Sequence, residues 1–345
     1  MSGHKKRLGF LSFGHWGAVP GSQTPTAQDA LLQSIELAVA AEEIGIDGAY
    51  FRVHHFAKQF ASPFPLLSAI AAKTNRIEMG TGVIDMRYEN PLYMAEEAAA
   101  TDLISGGRLQ LGISRGSPEP ALHGPAWFGY QPKPGTTDAQ MAQQKSAVFL
   151  AALSGQGIAP SNPNMTGGIE QKLPIQPQSP GLMERIWWGS GSRATAELTG
   201  KRGLNLMSST LLLEDEGTPF DELQAEQIAL FRASWSEAGH ERIPRVSVSR
   251  SVIPIVDETD RALFGDGAEE RDQVGILEGV RSRFGKSYTG RPDALAKQLA
   301  NDQAVQAADT VLLTVPNQLG VDYNARMLRI IAEEIAPALG WEPNL

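Results

Sequence analysis

The strongest constraint on the fold of this chain is an alternation, repeated eight times, of short apolar runs with longer segments of helical period. The runs cover Leu8 to Phe13, Gly48 to Val53, Ile77 to Ile84, Leu109 to Ser114, Ile186 to Gly189, Leu204 to Ser208, Arg245 to Val252 and Thr310 to Val315. Each is compact and apolar, as a strand buried on both faces must be. Strands that alternate with helices build βα units on a parallel sheet. Eight such units close more economically into one barrel than into two open sheets. The expected fold is therefore α/β, a single (β/α)8 TIM barrel with loop insertions, occupying residues 1–345 as one domain.

Helix signals hold the register. Thr26 with Asp29 three residues on starts a helix through Leu31, Leu32, Ile35, Ala38 and Val39, which stops at Gly45. Asn90 caps another, with Pro91 at its first position and Gly106 closing it. Further helices are expected over Ala139–Leu153, Arg193–Arg202, Phe220–Ala238, Pro292–Asn301 and Tyr323–Ala336. Four connections exceed ordinary turns: 115–136, 155–184, 209–219 and 257–289. The first, third and fourth follow strands, so a barrel places them on the carboxyl-end face, where they can form a lid. Residues 155–184 follow a helix and begin on the opposite face.

Composition narrows the function classes. Acidic residues exceed basic ones by nine, and no basic run extends beyond His4-Lys5-Lys6-Arg7, so nucleic acid and anionic membranes are poor partners. The absence of cysteine removes thiolate nucleophiles, disulfides and Cys-ligated metals together. Met1 to Gly21 has no apolar signal core, and no run of about 18 apolar residues occurs, so a cytoplasmic, unprocessed protein is expected.

Three stretches carry chemistry. In Gly45-Ile-Asp-Gly-Ala-Tyr-Phe-Arg-Val-His-His-Phe56 a helix ends, a strand follows, and His54 and His55 stand at its exit, where a parallel α/β protein binds ligands. Neighbouring side chains in extended chain point to opposite sides, so His-His suits one metal ion poorly, and no carboxylate-rich partner set appears; no metal is assigned. A wall position fits His55 better than His54. An imidazole that transfers protons or orients a ligand is the remaining reading, and it is given to His54. The second stretch is Trp188-Gly-Ser-Gly-Ser-Arg-Ala-Thr195. Gly189 and Gly191 let the backbone turn tightly, a helix opens at Arg193, and Ser192 and Thr195 lie one turn apart, a combination suited to an anion such as phosphate. Gly189-x-Gly-x-x-Ala194 also meets a relaxed dinucleotide fingerprint, but four βα units precede it and Glu214 does not clearly end a second strand. An ordinary capped helix is the plain alternative. In the third stretch, Arg115 lies just past the strand Leu109 to Ser114, placed either to meet phosphate or to form a surface ion pair.

Taken in order, Glu42-Glu-Ile-Gly-Ile-Asp47, His54-His55, Arg76-Ile-Glu-Met-Gly-Thr-Gly-Val83, Asn90-Pro91, Glu96-Glu97, Asp102, Ser105-Gly-Gly-Arg108 and Gly112-Ile-Ser-Arg-Gly116 resemble the bacterial luciferase-like flavin-dependent monooxygenase family. The resemblance is dense from about residue 8 to 116, returns at 186–208 and weakens afterwards. It implies a (β/α)8 barrel with FMN at the carboxyl-end face and His54 beside the reactive flavin carbon. It further implies Arg115, Ser192 and Thr195 around the phosphate, and a cis peptide at Gly82-Val83 under the ring. Reduced FMN and O2 would then oxygenate a small organic substrate, with reduced flavin coming from a separate reductase and barrels pairing as a homodimer. One departure stands out: the family usually has Glu before the two histidines, where this chain has Val53, so a group that would orient the imidazole is missing. Rival readings are a coenzyme F420-dependent oxidoreductase of the same fold, a flavin-binding protein without turnover, and a metal-dependent hydrolase using His54 and His55.

Overall fold

The computed structural model describes residues 5–116, 119–213, 217–265, 272–277 and 280–345. Eight parallel strands form a closed ring: β1 Arg7–Ser12, β2 Gly48–Phe51, β3 Glu78–Asp85, β4 Leu109–Ser114, β5 Ile186–Ser190, β6 Asn205–Ser208, β7 Val246–Pro254 and β8 Thr310–Val315. Each pairs with its successor, and β8 closes on β1 from Arg7 opposite Thr310 to Ser12 opposite Val315. One long helix follows each strand: α1 Ala27–Ile44, α2 Pro63–Lys73, α3 Pro91–Ser105, α4 Asp138–Leu153, α5 Arg193–Lys201, α6 Phe220–Glu237, α7 Pro292–Asn301 and α8 Gly320–Ile330. This is the (β/α)8 barrel.

The start and stop residues act as their chemistry dictates. Thr26 and Asp29 form a reciprocal capping box, and Gly45 ends α1 at φ 93°. Asn90 accepts from the backbone N–H groups of Leu92 and Tyr93, and Gly106 closes α3 at φ 69°. The expectations did not name α2, whose start is marked by Ser62 and by Pro63 at the first position, and whose period is blurred by apolar residues all round. The last helix begins at Gly320 rather than Tyr323 and continues through a π turn at Ile331–Ile335. Two of the insertions join: residues 211–212 pair antiparallel with 283–284, which pair in turn with 273–274. Residues 266–271 and 278–279 of the last insertion, and Glu214, lie outside the described residues.

Strand alternation separates two cores. On β2, Ala49, Phe51 and Val53 point outward and pack with Leu8, Phe10 and the helices, whereas Tyr50 points inward to Leu11, Trp187, Met207 and Leu312. The amino-terminal end of the interior is tied by one carboxylate. Glu78 accepts two bonds from Arg245, at 2.9 and 3.0 Å, and others from Arg7 and Gln110. Gln110 in turn accepts from the indole of fully buried Trp187 at 2.8 Å.

Removing Glu78 leaves the Arg245 guanidinium without a carboxylate and the Gln110 amide N–H without its acceptor inside the ring. Glu78→Ala is expected to lower unfolding stability by about 3 kcal/mol or more. Arg7→Ala, at a side chain 44% exposed, should cost under about 1 kcal/mol. Urea unfolding checks both, and equal losses would contradict the assignment of Glu78 as the tie.

Candidate active site

At the opposite, carboxyl-end mouth the inward positions of three adjacent strands carry almost no side chain: Gly82 on β3, Gly112 and Ser114 on β4, and Gly189 on β5. A Cβ on Gly112 would lie 2.3 Å from the Thr81 carbonyl oxygen and 2.9 Å from Val83, and one on Gly189 would lie 3.4 Å from both Val83 and Ser114. The pairing of β3 with β4 skips between Thr81 and Ile84, and within the skip the Gly82-Val83 peptide is cis. At Gly112 and Gly189 the Thr81 carbonyl and the Val83 side chain stand close to where a Cβ would be, so the floor of the mouth is made of glycine backbone and Val83.

His54 stands over the β2 exit, its backbone N–H donating to the Phe60 carbonyl at 2.8 Å. Its Nδ1 is 2.9 Å from Oε1 of Glu119, and both side chains are more than nine-tenths buried. Among the described residues, neither Glu119 oxygen is in hydrogen-bond geometry with any group. The contact is thus a close electrostatic one, and the carboxylate keeps its acceptor capacity for a ligand. Glu119 places a carboxylate beside His54, where Val53 carries none. Val53 points outward into the helix layer, so its apolar side chain subtracts nothing from the mouth. Sequence reasoning missed Glu119 because it comes from a Gly/Pro-rich insertion 65 positions beyond His54, with no spacing rule to pair them.

His55 turns the other way. Its ring stacks on Tyr88 at 4.1 Å between centroids, Phe128 meets it edge-on at 5.0 Å, and burial pushes the imidazole pKa down. Among the described residues its Nε2 and the Tyr88 hydroxyl are buried without partners, and burial with the nearby Glu119 and Asp85 pushes Tyr88 up to about 12. Gly124 makes room for that hydroxyl: a Cβ there would lie 2.0 Å from it. The insertion after β4 thus folds back over both histidines. Among the described residues no three His, Cys, Asp or Glu side chains converge on a point that could hold a metal.

Across the mouth, Ser192 caps α5, accepting from the Thr195 N–H at 3.3 Å, and the two hydroxyls lie 3.0 Å apart. Gly191 is pressed against the 209–219 insertion: its carbonyl accepts from the Leu213 N–H at 3.0 Å, and a Cβ would sit 2.9 Å from the Leu211 oxygen. Arg115 is exposed at the rim and, among the described residues, its side chain makes no ion pair or hydrogen bond. Gly189, Gly191, Ser192 and Thr195 therefore share one turn. Arg193 joins it only through its backbone, because its guanidinium pairs with Glu226 on α6 at 2.6 Å.

Several other residues of the ordered motif set serve the barrel's opposite end. Glu42 accepts from the N–H groups of Asn75, Arg76 and Ile77, Asp102 pairs with Arg185 at 2.6 Å, and Arg108 donates to the carbonyls of Ala71, Thr74 and Ile77. A recess of about 410 Å³ at that end is lined by Lys5, Arg7, Asp47, Arg245 and Asp309, far from the histidines.

The family model for luciferase-like monooxygenase matches residues 7–308, and the chain belongs to that family. It is 28% identical over 213 residues to the oxygenase component of flavin-dependent trigonelline monooxygenase from Acinetobacter baylyi, covering 60% of this chain and 56% of that one. The chain spans about half the length, or less, of the curated relatives it matches. Two solved structures share the fold. One is the oxygenating constituent of 3,6-diketocamphane monooxygenase from Pseudomonas putida in complex with FMN (TM-score 0.66, 15% identity, 96% and 98% of the two chains). The other is the coenzyme F420 dependent tetrahydromethanopterin reductase of Methanopyrus kandleri (TM-score 0.65, 13% identity, 97% and 99%). No described helix is long and apolar enough to cross a membrane.

Beside the mouth, burial and then the neighbouring Glu97 push the Glu89 carboxyl up to about 7, while burial pushes Lys145 down to about 8. With the ordinary carboxyl value of 4.5 in the unfolded chain, ionised Glu89 opposes folding increasingly from pH 4.5 to about 7. Glu89→Gln should therefore stabilise the protein, by a margin that grows across that window and levels off above it. Thermal melts at pH 5 and pH 8 measure this; a margin independent of pH would contradict it.

Proposed function

We propose that this protein is the oxygenase half of a two-component system, a flavin-dependent monooxygenase that takes reduced FMN from a separate reductase and oxygenates a small organic substrate with O2. The observation that carries the reading is the His54–Glu119 pair at the same carboxyl-end mouth as the glycine floor of Gly82, Gly112 and Gly189. The floor fits a planar ring system, and the orphaned acceptors of Glu119 suit a polar ligand edge. The word "component" in the name of the Acinetobacter relative supports the separate reductase.

When bound, the flavin supplies the activation of O2 and the transfer of one oxygen atom. The chain supplies the rest. Gly82, Val83, Gly112 and Gly189 would bound the ring, and Arg115, Ser192, Thr195 and the amino-terminal turn of α5 would take the phosphate. His54 holds or moves a proton at the atoms above the floor. The Glu119 carboxylate favours a proton on Nδ1, which leaves Nε2 to act. The insertion bearing Glu119, Gly124 and Phe128 covers the pair and excludes water. The deazaflavin F420 is the rival within the fold, since a family structure uses it and the same phosphate donors would serve. The absorbance of the cofactor that copurifies separates the two.

His54→Ala is expected to bind FMN within about threefold of wild type while slowing the proton-dependent chemistry by about a hundredfold or more. Glu119→Gln should produce a smaller change of the same kind. Rapid mixing of the protein, loaded with reduced FMN, with O2 and following flavin absorbance tests both. Reoxidation time courses identical to wild type would remove His54 and Glu119 from the reaction.

A further inference from the structure

Strand β2 sends a second group into the mouth. Its inward row is Gly48, Tyr50 and Arg52, with Tyr50 sealed in the interior core and Arg52 one step above it at the rim. The Arg52 guanidinium lies 4.8 Å from the centre of the Phe13 ring, which is itself stacked with His15 at 5.8 Å and 7°. Phe13 packs against the interior cluster of Leu11, Tyr50, Trp187, Met207 and Leu312, so this face of the mouth is an aromatic shelf carrying a cation.

That cation lacks a counterion. Arg52 is half-buried, yet among the described residues its side chain makes no hydrogen bond and no ion pair. Four other arginines at least partly buried are paired with carboxylates, Arg87 with Asp85, Arg185 with Asp102, Arg245 with Glu78 and Arg250 with Asp302, while Arg108 and Arg242 donate to carbonyl oxygens. Burial pushes the Arg52 pKa down, and the charge of Glu119 partly restores it. An arginine does not lose its proton in a protein, so the group stays a partly desolvated cation. Glu119 is the nearby acid: its charge reaches Arg52, but the two side chains form no ion pair, and Glu119 stands 2.9 Å from His54 Nδ1 instead.

The position of this cation decides what it can serve. The free Arg115 and the Gly189–Thr195 turn lie at the ends of β4 and β5, whereas Phe13 and Arg52 lie at the ends of β1 and β2, across an eight-stranded ring. The mouth therefore presents two separated sites for negative charge. A flavin mononucleotide carries a single phosphate, which the β4–β5 side accommodates. We propose that Arg52, held over Phe13, anchors a carboxylate of the substrate, so that this enzyme acts on small, flat, anionic organic molecules. The inference rests on the flavin reading for the word substrate, but its geometry stands on Arg52 and Phe13 alone. A guanidinium fork meets a carboxylate with two parallel bonds, and the Phe13–His15 shelf offers a flat surface beside it.

Calorimetric titration tests this with benzoate and nicotinate, each beside its neutral amide, run with and without saturating FMN. Wild type should bind the carboxylates at least about tenfold more tightly than the amides. Arg52→Gln should abolish that preference, Arg52→Lys should keep part of it, and FMN affinity should be unchanged in both. A wild type that binds acid and amide alike overturns the proposal, as does a preference that survives in Arg52→Gln. If Arg52→Gln instead weakens FMN, the guanidinium belongs to the cofactor phosphate and the proposal also falls. A protein that shows the carboxylate preference but binds no FMN would refute the flavin reading while leaving Arg52 as an anion site.

Discussion

The barrel depends on one carboxylate. Glu78 sits inside the amino-terminal end of the ring and gathers Arg7 from β1, Gln110 from β4 and Arg245, which immediately precedes β7. Through Gln110 it reaches Trp187 on β5. Parallel strands have no tight hairpins to hold them in register, so a shared interior partner that touches strands on several sides of the ring fixes their stagger directly. The same end is reinforced outside by Glu42, Asp102 and Arg108, which satisfy backbone groups where helices turn into strands. Buried charges can do this because each has its partners.

Stability concentrated at one end leaves the other free to be open and unsatisfied. The mouth has glycines where a packed layer would carry side chains, a carboxylate without aligned donors, a guanidinium without a counterion, and two orphaned polar atoms on His55 and Tyr88. These features would be faults in a core. Together at the carboxyl-end face of a (β/α)8 barrel they are what the proposed site for a polar, flat ligand requires.

Much of the architecture was legible. Eight strands and most of the helices follow from apolar runs and from caps such as Thr26, Asn90 and Gly106, because local chemistry alone sets those boundaries. The position of His54 at a strand exit was equally plain. What escaped was non-local or unpatterned. Pro63–Lys73 is apolar on every side, so periodicity could not announce it, and the pairing of residues 211–212 with 283–284 joins two insertions with no shared signal. Glu119 and Arg52 escaped for different reasons. Glu119 acts across a loop whose course no spacing rule describes. Arg52 was in plain view beside the histidines, but only the period-two alternation of β2, fixed by Tyr50 inward and Val53 outward, shows that it faces the mouth. That alternation also answers the question raised by Val53. The position faces the helix layer, and the acid beside His54 comes from elsewhere in the chain.

The account turns on the glycine floor receiving a flavin. Titration of the protein with FMN, followed by flavin fluorescence, measures this directly, with Gly189→Leu as the variant whose side chain would fill the floor against Val83 and Ser114. The account predicts saturable wild-type binding in the micromolar range and its loss in Gly189→Leu. Absence of binding at micromolar FMN, or undiminished binding by Gly189→Leu, would contradict it.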